Sequence, residues 1–233
     1  MSLSTAPFRN SDLASASQHN LPLLRTLKDD HGRSLLALLC LDDLVPDSLI
    51  CELAESLVPS DGDACDATGS SPLHVAVRQR PAHVAAAIAR ASSSAVRDMR
   101  DMHSRTALHL SVLSNSADHV QQLLQAGCDP NVLSTGVNGG TALHWAACAG
   151  NAEIVSLLLL RCDPLLLNES GVTAASLSKS DGCRELLVAA EQDCRRRQEA
   201  LAGNEESVTL TRAVVQPLAS GAKKKLTIKV NPK

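Results

Sequence analysis

Gly139-Gly140-Thr141-Ala142-Leu143-His144-Trp145-Ala146-Ala147-Cys148-Ala149-Gly150-Asn151 is the stretch on which the fold turns. A hydroxyl residue three positions before a histidine suits a helix entry, and the Ala-rich run after it suits a short helix packed closely against a neighbour. The pattern recurs upstream as Thr106-Ala107-Leu108-His109 and Ser71-Pro72-Leu73-His74, with successive histidines 35 residues apart. A period in this range marks an array whose short units bury their faces only by stacking on one another. Asp101–Pro130 and Gly139–Pro164 read as two copies of one unit, each passing through a second helix and closing on Cys-Asp-Pro, at Cys128-Asp129-Pro130 and Cys162-Asp163-Pro164.

These residues resemble the ankyrin repeat family, whose unit of about 33 residues carries a Thr-Pro-Leu-His-x-Ala core. The resemblance is strongest over residues 69–164 and extends in degenerate form to about 30–192. It implies an all-α ankyrin-repeat solenoid of about five stacked helix-turn-helix units, near 30–60, 67–100, 102–134, 137–168 and 169–192, within a domain spanning 19–192. The first unit is in phase if Ser34 is set on Ser71, but it lacks both Pro and His; the fifth keeps Thr173 and has Ser176 where His is expected. Atypical terminal units fit an array, because one face of each meets water. The resemblance also implies that His74, His109 and His144 sit in turns and bond to backbone. Thr106, Thr141 and Thr173, with Ser71, then cap helix entries.

Composition agrees with this architecture. Among 233 residues there is one Phe, one Trp and no Tyr, so Ala and Leu must supply nearly all the buried surface. That suits short helices and argues against a sheet-rich core. Eight cysteines are scattered without a Cys-x-x-Cys pair, and Cys128 and Cys162 read as small buried hydrophobes, so a zinc module is not expected. Stacked units place their histidines roughly 10 Å apart, too far to share one ion. No phosphate-binding glycine loop, His-Glu-x-x-His or Gly-x-Ser-x-Gly is present, and no cofactor, catalytic residue, metal or small-molecule substrate is expected. No apolar run reaches the length of a membrane span. With no secretory signal at its N-terminus, the chain is expected in a reducing compartment, cytoplasmic with the nucleus as the alternative.

In the family, the residue after the histidine position faces the concave side of the array. That column reads Leu38, Val75, Leu110, Trp145 and Leu177, and three residues on a second column reads Leu41, Arg78, Leu113, Cys148 and Ser180. Trp145, the single tryptophan, is the expected interface anchor. Turn fingers add Arg97, Arg100, Met102 and His103 in one loop and Ser134, Val137 and Asn138 in the next. The expected function is a non-catalytic interaction module or adaptor for one or more proteins.

Charge is divided along the chain. Residues 194–233 carry nine Lys/Arg against three Glu, whereas 1–193 carry 13 basic and 22 acidic residues. The basic extension, 193–233, holds Lys223-Lys224-Lys225, and its segments Val208–Thr211 and Lys225–Val230 alternate polar with apolar residues and read as strands. Two alternatives follow: a nucleic-acid- or chromatin-associated regulator using the basic extension, or a structural subunit that docks through the tail. Residues 1–18 are polar, Ser- and Ala-rich and without period, and read as a flexible segment.

Overall fold

The computed structural model describes residues 27–58, 65–135 and 139–212. Expectations for 1–18 and for a strand at Lys225–Val230 lie outside the described residues. The described elements are helical: α1 (Leu35–Leu41), α2 (Asp47–Leu57), α3 (Pro72–Gln79), α4 (Ala82–Ala91), α5 (Ser94–Arg97), α6 (Ala107–Leu113), α7 (Ala117–Gln125), α8 (Ala142–Ala149), α9 (Ala152–Leu159), α10 (Ala174–Leu177) and α11 (Asp181–Arg212). No strand occurs among the described residues. Only two isolated bridges form there, Lys28 with Ser34 and Ser134 with Gly140.

Helices of four to eleven residues are marginal in isolation, so their stability comes from packing. The inner helices α1, α3, α6, α8 and α10 pack in sequence, and the outer helices α2, α4, α7 and α9 do the same. Leu73, Leu108 and Leu143, one per unit at the residue before the histidine, are fully buried. Ala76, Ala107, Ala142, Ala146 and Ala147 beside them are equally buried and let the helix pairs approach closely. Cys183 and Leu187, on the first turns of α11, belong to the same core.

The entries and exits follow the sequence signals. Pro46 and Pro81 precede α2 and α4, where no helical amide is owed. Asn151 Oδ1 accepts the amide of Ile154 at 3.1 Å and caps α9. Gly150 ends α8 in a left-handed conformation, φ +75°, and in the unit before it Asn115 takes the same role at φ +55°. Asn tolerates this region better than other residues with a Cβ.

The equal 35-residue spacings arise in two different ways. Ser71 to Asp101 spans 30 residues because α5 adds a helical turn after α4. Thr106 to Ser134 spans 28, and the balance lies in a finger that is two residues longer than the others. In four fingers an Asp or Asn stands five residues before the helix-entry hydroxyl: Asp29, Asp66, Asp101 and Asn168. Each side chain accepts the amides two and four residues on, as Asp101 does from His103 and Arg105 at 2.9 Å each. In the fourth unit Ser134 replaces that residue and stands seven before Thr141.

The strand reading of Val208–Thr211 is corrected: these residues lie within α11. A helix already nucleated gains one hydrogen bond per added residue, which outweighs the weak strand preference of a four-residue alternation. By contact, the described residues up to Cys194 form one compact unit and those from Arg195 a second.

Candidate partner-binding surface

The histidines tie units two, three and four each to the next. His74 Nδ1 accepts the Ser71 amide at 3.2 Å and lies 2.8 Å from Ser71 Oγ, while Nε2 meets the Arg105 carbonyl at 2.9 Å. An amide only donates, so Nδ1 is the acceptor and Nε2 carries the proton. His109 repeats the arrangement on Thr106 and the Gly140 carbonyl, and His144 on Thr141 and the Val172 carbonyl, the long bonds being 3.1 Å in both. Both ring nitrogens of every member are engaged, and burial lowers all three pKa values, that of His109 to about 4. No group of side chains able to hold a metal ion occurs among the described residues. Thr173 departs from the expected capping role: its hydroxyl lies 3.4 Å from Ser176 Oγ and bonds no helical amide.

Two ties were missed in the sequence. His119 forms the same device at the start of α7, with Nδ1 2.9 Å from Ser116 Oγ and Nε2 3.0 Å from the Arg80 carbonyl. The Ser-x-x-His spacing was the signal. Arg80, by contrast, gave none. Its buried guanidinium bonds the carbonyls of Leu39, Cys40, Asp42 and Val45 at the end of α1, and the carboxylate of Asp47 at 3.1 Å. Unit one has Ala37 where a histidine would reach forward, and Arg80 reaches back instead.

Trp145 is half-buried. Its ring meets His109 edge to face, with centroids 5.5 Å apart, and its indole N–H donates to Ser134 Oγ at 3.1 Å. The other side of the ring lines a groove of about 540 Å³ between the inner helices of units three to five, with Leu113, Cys148, Leu177, Asn115 and Lys179. Ser134 is pinned in turn: it exchanges backbone bonds with Gly140 at 2.8 and 3.0 Å, and its hydroxyl donates to the Gly140 carbonyl at 2.9 Å. Trp145 therefore joins the groove to the base of the long finger.

The other candidates divide. Leu113 is 53% exposed, and Cys148 is half-buried in the groove. Arg78 is exposed, 3.5 Å from an Asp101 carboxylate that Arg105 already holds at 2.7 Å. Arg100 is exposed and Met102 is 68% exposed on the third finger. Val75 and Leu110 are corrected: at 8% and 6% exposure they pack between inner helices. Ser134 is corrected too, being fully buried as the acceptor of the indole. Arg97 does not present itself to a partner, because its Nη1 donates to the Ala126 carbonyl beneath Gly127. Val137 and Asn138 lie outside the described residues. Cys128 is buried as expected, whereas Cys162 is only half-buried; desolvation raises both thiols to about 12.

The model for ankyrin repeats (3 copies) matches residues 47–134 and 118–198, well over half the chain. The chain belongs to the ankyrin repeat family. Such an array is a protein–protein interaction module. It is 34% identical over 136 residues to the nuclear factor NF-kappa-B p105 subunit of Rattus norvegicus, covering 54% of this chain and 14% of that protein. It is 33% identical over 98 residues to NF-kappa-B inhibitor alpha of Gallus gallus, covering 41% and 30%. The B-cell lymphoma 3 protein homolog of Mus musculus is 29% identical over 153 residues, covering 61% and 34%. The ankyrin chain thus spans at most about a third of these relatives.

Proposed function

We propose that this ankyrin array is a non-catalytic adaptor that receives a protein partner in the groove of units three to five, with Trp145 as the anchor. The observation that carries this reading is the placement of the single tryptophan, held by Ser134 and His109 on one side and lining an open apolar groove on the other. A large aromatic fixed before binding loses little entropy when a partner arrives, which is what makes such residues interface hot spots. Leu113 extends the apolar surface, and Arg100 and Met102 of the third finger, with the long fourth finger, add recognition elements at its edge. Among the relatives, one is named as an inhibitor of NF-kappa-B, that is, for its action on another protein. The proposed location is cytoplasmic, with the nucleus as the alternative, and the proposed domain runs over 19–192.

Trp145→Ala also removes packing, so Leu113→Asp is the cleaner variant. The test is quantitative affinity capture from the protein's own cell extract, comparing the full chain with Leu113→Asp and with a chain lacking 205–233. The expected result is a set of proteins retained by wild type and by the truncated chain and lost with Leu113→Asp at unchanged melting temperature. Equal capture by Leu113→Asp sinks the groove. Loss on truncation, with steep weakening as salt rises, favours the basic extension and a phosphate-bearing partner instead.

A further inference from the structure

The inner-helix face carries a charge pattern opposite to that of the array around it. Residues 1–193 hold 22 acidic against 13 basic side chains, yet the ten positions of the two inner-helix columns contain no carboxylate. They contain one cation, Arg78, and the groove beside Trp145 adds a second, Lys179, again with no acidic residue in its lining. The acids lie elsewhere. Asp29, Asp66 and Asp101 are spent inside finger turns on backbone amides. Asp47, Asp118 and Glu153 open outer helices.

The uncharged polar groups of the groove point the same way. Asn168 Oδ1 is taken by the amides of Ser170 and Val172, both at 3.0 Å, so the part of this side chain left to offer is its NH2 donor. Asn115 Oδ1 is taken by Asn151 Nδ2 at 2.7 Å. Lys179 is exposed and brings donors only. An apolar floor of Trp145, Leu113 and Leu177 is thus bordered by the Lys179 ammonium and the side-chain NH2 groups of Asn168 and Asn115, with the Ser170 hydroxyl, which can donate or accept, beside them.

Resting on the groove reading above, we propose that the occupant is a protein segment in which bulky apolar side chains stand next to acidic ones, and that Lys179 is the residue that selects for the acid. The apolar side chains fill the space against Trp145 and Leu113, and a carboxylate takes the Lys179 ammonium and the Asn168 amide. Acidic residues around the groove repel such a segment from other faces, which concentrates its binding where carboxylates are absent.

The experiment is a selection from a random 16-residue peptide display library on the full chain and, in parallel, on Lys179→Glu. The affinity of the enriched peptides is then read from the emission of Trp145, the single tryptophan, with tryptophan-free peptides. Lys179 is exposed, so Lys179→Glu is expected to melt like wild type. The expected outcome is enrichment of Asp or Glu beside Leu, Ile or Phe, an at least tenfold weaker affinity of these peptides for Lys179→Glu, and recovery when their acids are replaced by Lys. Peptides that move Trp145 emission but show no acidic preference, or that bind Lys179→Glu equally, overturn the role of Lys179 and leave the groove standing. If no peptide from either selection moves Trp145 emission, both readings fall. The same holds if a single-stranded oligonucleotide moves it and no peptide does.

Discussion

His74, His109 and His144 are each neutral in the folded chain because Nδ1 must accept an amide and Nε2 must reach a carbonyl of the next unit. Burial opposes protonation, so their folded pKa values lie below 6.5, and that of His109 is about 4. Between pH 6.5 and about 4 the unfolded chain binds protons that the folded chain refuses, so stability falls as pH falls through that window. The expected slope is up to about 1.4 kcal/mol per pH unit for each histidine. Urea midpoints measured from pH 7.5 to 4 check it; His109→Ala should be less stable at pH 7.5 and show a shallower decline. Arg80 makes a second prediction at this scale. Arg80→Met keeps the stem but strands four carbonyls and Asp47, and should cost about 3 kcal/mol in urea unfolding. A loss below about 1 kcal/mol would mean that water replaces the guanidinium at the end of α1.

At the scale of elements, the sequence made the inner helices legible because a hydroxyl, an apolar pair and a histidine occupy one turn, and each has a single physical task there. Pro46 marks the start of Asp47–Leu57 for a different reason, since the residue at a helix entry owes no amide bond. What escaped was whatever depends on partners distant in sequence. Arg80 meets carbonyls some forty residues earlier, and no local pattern marks it. Val75 and Leu110 share a column with Trp145, but only packing shows that the smaller side chains are covered. The identical 35-residue intervals concealed that α5 lengthens one unit and the fourth finger lengthens the next. That finger yields a prediction at Gly140. A Cβ there would sit 2.8 Å from the His144 ring and 3.2 Å from Asn168 Cβ, while the Gly140 carbonyl serves Ser134 and His109. Gly140→Ala should therefore cost about 2–3 kcal/mol and change Trp145 emission. Gly171, at φ +72° with open space around it, is the control. Gly171→Ala bears only the left-handed strain of about 1 kcal/mol and should leave the emission unchanged.

Over the whole array, stability is a sum of unit terms and nearest-neighbour terms, so the interior units are held from both sides and the last from one. The interior interfaces carry a histidine tie each, and His119 adds one between the outer helix of unit three and unit two. Unit five receives a tie from His144 but makes none onward, since Ser176 stands at the histidine position and its hydroxyl only approaches Thr173. Its inner helix is a single turn, Ala174–Leu177, against seven or eight residues in units one to four. The amides of α10 should accordingly exchange through a local opening several kcal/mol below the global unfolding free energy, while those of α6 and α8 exchange only on global unfolding. Native-state hydrogen exchange across a urea series checks this. Ser176→His should not raise protection of α10, because no described unit follows to offer a carbonyl. Equal protection of α10 and α8 would show that the array opens as one cooperative block, with the ties contributing no gradient. Because Leu177 and Lys179 belong to unit five, that early opening would also loosen one wall of the groove. A bound peptide should therefore raise the protection of α10 more than that of α6.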